Sequence, residues 1–165
     1  MMQSVPLTLE PLTADAFAPF GTVLEIFDDG TPLTPEESTL DLSQGKPRFY
    51  LMRVPRRPFR VRGLTRHRLT TQTLMSLGGR PWILAVAAPG DVEDPAVEPD
   101  LSTLRAFEIP GEVAVTMHRG CWHSGPHFDE PEMSFANLEL ADTNIVDHQT
   151  FLLTRLNQEY VLSSS

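Results

Sequence analysis

The apolar runs of this chain are short, and proline or glycine ends most of them: Pro55, Gly78-Gly79, Pro89-Gly90, Pro110-Gly111 and Gly125-Pro126. Proline inside a helix removes a backbone donor and clashes with the preceding turn, and glycine there costs chain entropy. Long helices are therefore excluded over most of the chain, and short strands joined by turns are favoured. The stretches 48–54, 66–69, 71–77, 82–88, 103–109, 113–117 and 135–140 read as strands, as does 22–27, with 7–10 as a short edge strand. Thr13 is a good N-cap for a short helix over 14–18, which Pro19 and Gly21 then end. The rhythm is that of an antiparallel barrel or sandwich, not of alternating βαβ units.

Between these runs, 28–45 is polar and rich in Asp, Pro, Thr and Ser, and reads as a loop able to act as a lid. The segment 91–99 is an acidic, proline-containing loop, and 147–160 has weak helical periodicity with strand as the alternative. Neither a repeat nor a linker divides the chain, and 165 residues suit one domain, 1–165.

Charge narrows the function classes. The net charge of −9 repels nucleic acid, and no long basic tract offsets it. The cluster Arg53, Arg56, Arg57, Arg60 and Arg62 is interrupted by Pro55 and Pro58. It is able to attract an anion, but the plainer reading is a solvated strand edge with charges that block unwanted pairing. A lone cysteine, Cys121, permits no intrachain disulfide and suits a reducing compartment. With no leader-like pattern in 1–13 and no apolar run long enough to span a bilayer, the expected address is the cytoplasm, with no membrane partner.

Chemistry concentrates on histidine. His118, His123 and His127 fall within ten residues, and His67 stands apart. Imidazoles can bind a divalent metal or exchange protons near neutral pH. Any one of them is more often a buried structural residue, but a cluster points to a site. Cys121 beside His123 fits a nucleophile less well than a small buried apolar residue. There is no Cys-x-x-Cys, no His-Glu-x-x-His and no nucleophile-elbow motif, and no phosphate loop, since Gly78-Gly79 before Trp82 reads as a hairpin turn.

The segment Arg66-His67-Arg68-Leu69-Thr70-Thr71-Gln72 resembles the first signature of the ureidoglycolate lyases, formerly called ureidoglycolate hydrolases, a family with a cupin fold. Asp100-Leu101-Ser102-Thr103-Leu104-Arg105-Ala106-Phe107 resembles its central segment, and His118-Arg119-Gly120-Cys121-Trp122-His123 its second signature. The opening, from Pro11 through Phe17 to Gly21, is similar to the family's N-terminus.

The resemblance implies a mainly β, cupin-type antiparallel β-barrel (a double-stranded β-helix) with a short N-terminal helix. It implies a homodimer paired through sheet edges. It also implies a carbon–nitrogen lyase of the amidine-lyase type, splitting ureidoglycolate into glyoxylate and urea in allantoin and purine breakdown. His67 and His123 would then act as acid and base, Gln72 would orient the substrate amide, and His118 would support them. Arg66 or Arg119 would hold the carboxylate, with Thr65 and Trp122 also at the substrate.

Metal-binding cupins place ligands at positions that align with Thr65, His67, Gln72 and His123. The set His67, Gln72 and His123 implies at most a loosely held divalent metal, nickel or zinc, joined by His118 or His127 if held more firmly. The family's Arg-Tyr-His-Asp-Leu segment has only Thr39-Leu40-Asp41-Leu42 as its nearest equivalent, and its His-Pro pair becomes Ser124-Gly125-Pro126-His127. Those differences leave two alternatives beside the lyase: a metal-dependent cupin acting on another small hydroxy or carboxylic acid, and a non-catalytic small-molecule binder.

Overall fold

A computed structural model describes residues 1–37 and 39–164; position 38 of the expected 28–45 loop, and Ser165, lie outside the described residues. In chain order the strands are β1 (Gln3–Pro11), β2 (Gly21–Leu24), β3 (Pro47–Pro55), β4 (Arg60–Val61), β5 (Gly63–Arg66), β6 (Gln72–Ser76), β7 (Gly79–Ala87), β8 (Arg105–Gly111), β9 (Ala114–Met117), β10 (Trp122–His127), β11 (Glu132–Leu140), β12 (Gln149–Leu152) and β13 (Gln158–Ser163). Between them lie two single-turn helices, α1 (Ala14–Phe17) and α2 (Thr143–Val146), and 3-10 turns at Leu101–Thr103 and Leu153–Leu156. The Thr13 side chain caps α1, its Oγ1 accepting the Ala16 N–H at 3.1 Å.

One sheet orders its strands β12-β5-β10-β7-β8-β1-β13-β4, and the other β2-β9-β6-β11-β3. The fold is mainly β, as expected, with eight strands in one sheet and five in the other. It departs from a purely antiparallel barrel at β1, which lies parallel to both β8 and β13. The expected edge strand at 7–10 is therefore an interior strand of nine residues.

Alternation explains the core. On β7, Trp82, Leu84 and Val86 join one apolar cluster with Phe17, Phe20, Phe107 and Phe135. Ala85 and Ala87 of the same strand join a second cluster with Leu64, Trp122 and Phe151. A strand buried on both faces must read as a continuous apolar run, as 82–88 does.

Two expectations are corrected, and the open choice between helix and strand at 147–160 is decided for strand. The strand placed at 66–69 lies three residues earlier, and Arg68 and Leu69 form a turn before β6. The segment 147–160 folds as β12, a 3-10 turn and β13, because its apolar residues are used by pairing with β5 and β1. Gly78 and Gly79, with φ of 84° and 70°, do form a turn, but it carries the chain from one sheet to the other, not between paired strands.

Candidate functional site

Between the two sheets a cavity of about 350 Å³ opens at one end of the barrel. Its walls follow from strand alternation. Tyr50, Met52 and Val54 face inward from β3, Gln72 and Leu74 from β6, and Asn137 and Glu139 from β11. Register sets Asn137 opposite both Tyr50 and Leu74, which puts these side chains on one face. The other wall carries Thr65, His67, His123 and Thr150, with His123 paired opposite Thr65.

His67 leaves the end of β5 and enters the turn that leads to β6. Asp147 holds that turn: its carboxylate accepts the backbone N–H groups of Arg68 and Leu69, each at 2.8 Å. The carbonyl of Asp147 accepts from His67 Nδ1 at 2.6 Å. A carbonyl only accepts, so Nδ1 carries the proton and Nε2 keeps its lone pair. His123 is held the same way, with Nδ1 donating to the Cys121 carbonyl at 3.2 Å. The rings of His67 and His123 stand 5.2 Å apart, and that of His148 lies 5.6 Å from His67.

Electrostatics separates the two imidazoles. Burial lowers the pKa of His67, and the Asp147 carbonyl and the Glu139 charge oppose that shift. Burial and the neighbouring His67 push His123 down to about 3. Both rings are neutral at neutral pH, and His67 is the better proton acceptor.

The opposite wall is a polar chain. Tyr50 donates to Glu139 Oε1 at 3.1 Å, and Asn137 Nδ2 donates to the Tyr50 oxygen at 3.0 Å. Gln72 Nε2 donates to Asn137 Oδ1 and Glu139 Oε2, at 3.2 and 3.3 Å. Gln72 Oε1 is buried and accepts nothing within the protein. Burial and the Glu139 charge raise the Tyr50 pKa, so its proton stays in place. Arg57 lines the rim, donating Nη1 to the Gly125 carbonyl at 2.7 Å.

The cavity thus brings together His67, His123, Gln72 and Thr65 from the residues the sequence singled out. It leaves others outside. His118 is exposed and its Nε2 bonds to the Ala18 carbonyl at 3.1 Å. Arg66 is fully buried, stacks on Trp122 at 4.8 Å, and donates to Gln149 and to the carbonyls of Pro89, Asp91 and Asp94. It anchors the acidic loop, and cannot reach a carboxylate in the cavity. Arg119 donates to the Arg68 carbonyl and faces Asp41 and Glu93 at the surface. Trp122 belongs to the second apolar cluster. His127 donates Nδ1 to the Pro58 carbonyl and accepts from Ser124 on a different face. Cys121 is buried, and desolvation drives its thiol pKa up, against thiolate chemistry.

Glu139, Asn137, Tyr50, Arg57, Asp147 and His148 had not been singled out for the site. For Asn137 and Glu139 a signal existed: in 135–140 they share one face of an otherwise apolar strand. Among the described residues no three His, Cys, Asp or Glu side chains converge to hold a metal ion. The set His67, Gln72 and His123 offers two imidazoles and one neutral amide, which does not fit nickel or zinc as a firm site.

A family model for ureidoglycolate lyase matches residues 4–154. The ureidoglycolate lyases of Pseudomonas paraeruginosa and Burkholderia mallei are 34% and 36% identical over 129 residues, covering 71% of this chain and 73% and 72% of theirs. Among solved structures, an oxalate decarboxylase shares 15% identity at a TM-score of 0.42, over 68% of this chain and 25% of that one.

Proposed function

This chain belongs to the ureidoglycolate lyase family, and we propose that its cavity cleaves ureidoglycolate to glyoxylate and urea as an amidine-lyase-type enzyme. The observation that carries this reading is the buried, unpaired Oε1 of Gln72. An unmet acceptor costs about 1–3 kcal/mol, which an N–H donor on a bound ligand removes. A ureido group supplies such donors, and Glu139 beside Gln72 takes a second one.

The substrate carboxylate pairs with Arg57, the one Lys or Arg among the described residues lining the cavity. With both ends held, the carbinol carbon lies between the polar wall and the imidazoles. His67 Nε2 takes the hydroxyl proton. The oxygen's electrons form the new C=O bond as the C–N pair leaves with the urea nitrogen. The same imidazole then returns the proton to that nitrogen. One neutral base suffices because donor and acceptor atoms share a carbon, and orientation supplies much of the acceleration. His123 accepts a hydrogen bond from the substrate and keeps it against His67.

A cytoplasmic homodimer is part of the same proposal. No helix among the described residues is long and apolar enough to cross a membrane. Edge strand β3 turns Phe49 and Leu51 outward, 70% and 63% exposed, which favours pairing with a second copy.

The test is direct. Purified protein and ureidoglycolate are incubated and the release of glyoxylate and urea followed. Release faster than the spontaneous breakdown is expected; a rate equal to it, with nickel or zinc supplied, overturns the reading.

A further inference from the structure

Beside the reaction cavity lies a second concavity of about 450 Å³, lined by Arg57, Pro58, Arg60, Arg62, Ser124 and His127. Its lining holds three guanidinium groups and, among the described residues, no carboxylate. We propose that it is a separate binding site for a small oxyanion carrying more than one negative charge, such as phosphate.

The chain builds this site by alternation. Val61 of β4 is fully buried and anchors the strand, so Arg60 and Arg62 on either side share the opposite face. Glu159, buried on the neighbouring β13, receives Arg60 Nη1 on Oε1 and Arg62 Nε on Oε2, the latter at 2.6 Å. One carboxylate therefore fixes two guanidinium groups and neutralises one of them. Arg57 forms no ion pair among the described residues and is positioned by the Gly125 carbonyl at 2.7 Å. Three guanidinium groups against the single Glu159 leave two positive charges around one concavity, in a chain of net charge −9.

Each arginine spends one nitrogen on the protein and keeps further N–H donors for a ligand. β4 is an edge strand, where charged side chains also block unwanted pairing. Here they converge, and two are held in place by a buried partner, which lowers the ordering cost of binding an anion. His127 adds no charge: its ring donates to the Pro58 carbonyl and accepts from Ser124. The positive potential thus comes from groups that stay charged at any physiological pH. Arg57 and Ser124 also line the reaction cavity, so the two sites share a wall. Binding in the outer site does not depend on the lyase reaction.

Calorimetric titration of the whole protein with inorganic phosphate, against sodium chloride at equal ionic strength, tests this. Saturable binding near one phosphate per chain is expected. Arg62→Gln should weaken it about tenfold or more, as loss of a charge-assisted hydrogen bond does. Because Arg62 also holds Glu159, Arg57→Gln, which leaves Glu159 untouched, is measured beside it and should weaken binding likewise. His67→Asn, inside the reaction cavity, should leave phosphate affinity unchanged. Absence of binding above chloride, survival of binding in both arginine variants, or its loss in His67→Asn each overturns the proposal.

Discussion

His67 and Asp147 are joined twice: the imidazole Nδ1–H donates to the Asp147 carbonyl at 2.6 Å, and the Asp147 carboxylate clamps the turn that follows His67. One residue thereby sets both the tautomer of the proposed base and the backbone that carries it.

Replacing His67 by Asn separates these functions. The Asn amide can still donate to the Asp147 carbonyl, but nothing occupies the Nε2 position. Turnover of ureidoglycolate should fall about 10²–10⁴-fold, the usual contribution of a positioned base. The melting temperature should change little, as read by circular dichroism. A variant with wild-type kcat would remove His67 from the reaction.

Asp147→Ala should act on stability as well as on rate. It removes the two hydrogen bonds that a charged carboxylate accepts from the N–H groups of half-buried Arg68 and Leu69, together roughly 1–3 kcal/mol. Urea denaturation should show a loss of that order, and kcat should fall while the histidines remain present. Unchanged stability would mean that the turn is held by something else.

Arg57→Gln tests how the substrate is held. If Arg57 pairs with the substrate carboxylate, KM should rise about 10–100-fold, the cost of one charge-assisted contact. Steady-state kinetics would show kcat changing less than KM. Equal KM values for variant and wild type would place the carboxylate elsewhere.

Acid should destabilise the fold through its buried imidazoles. Burial lowers the pKa of His67 and takes His123 and His127 to about 3 and about 4. The unfolded chain takes up these protons near pH 6.5, before the folded one does. The stability these groups contribute is therefore complete above about pH 6.5 and is lost as pH falls toward their folded values. Melting temperature should decline from pH 7 to pH 4, and less steeply in His127→Gln. A slope identical to wild type in that variant would show that His127 is not among the groups responsible.

Leu51→Glu addresses the homodimer. The side chain faces away from the cavity, between inward Tyr50 and Met52, so the pocket should be intact. Light scattering after gel filtration should show a dimer for the wild type and a monomer for the variant. A wild-type monomer at micromolar concentration would end the dimer proposal.

Much of the fold was legible because it rests on local patterns. The apolar run at 82–88 announced a strand, and Thr13 announced the start of α1. The 147–160 segment left helix and strand open, because pairing with distant β5 and β1, which overrides its weak helical period, has no local signal. In the site, His67 and His123 stood out by residue type. Arg66 and Arg119 did too, but their partners are carbonyls and carboxylates of distant loops, and no local spacing reveals such contacts. Asp147 was invisible for the same reason: its importance lies in what its carbonyl and its carboxylate touch, about 80 residues away.

The His67–Asp147 bond spans 80 residues, and the Asn137–Tyr50 bond of the opposite wall spans 87. Neither wall can be finished by local folding, because loop closure must come before such contacts are gained. A chain in which β12 has not added to β5 lacks both Thr150 in the wall and the Asp147 clamp on the turn after His67. Container and base are therefore completed by the same closure.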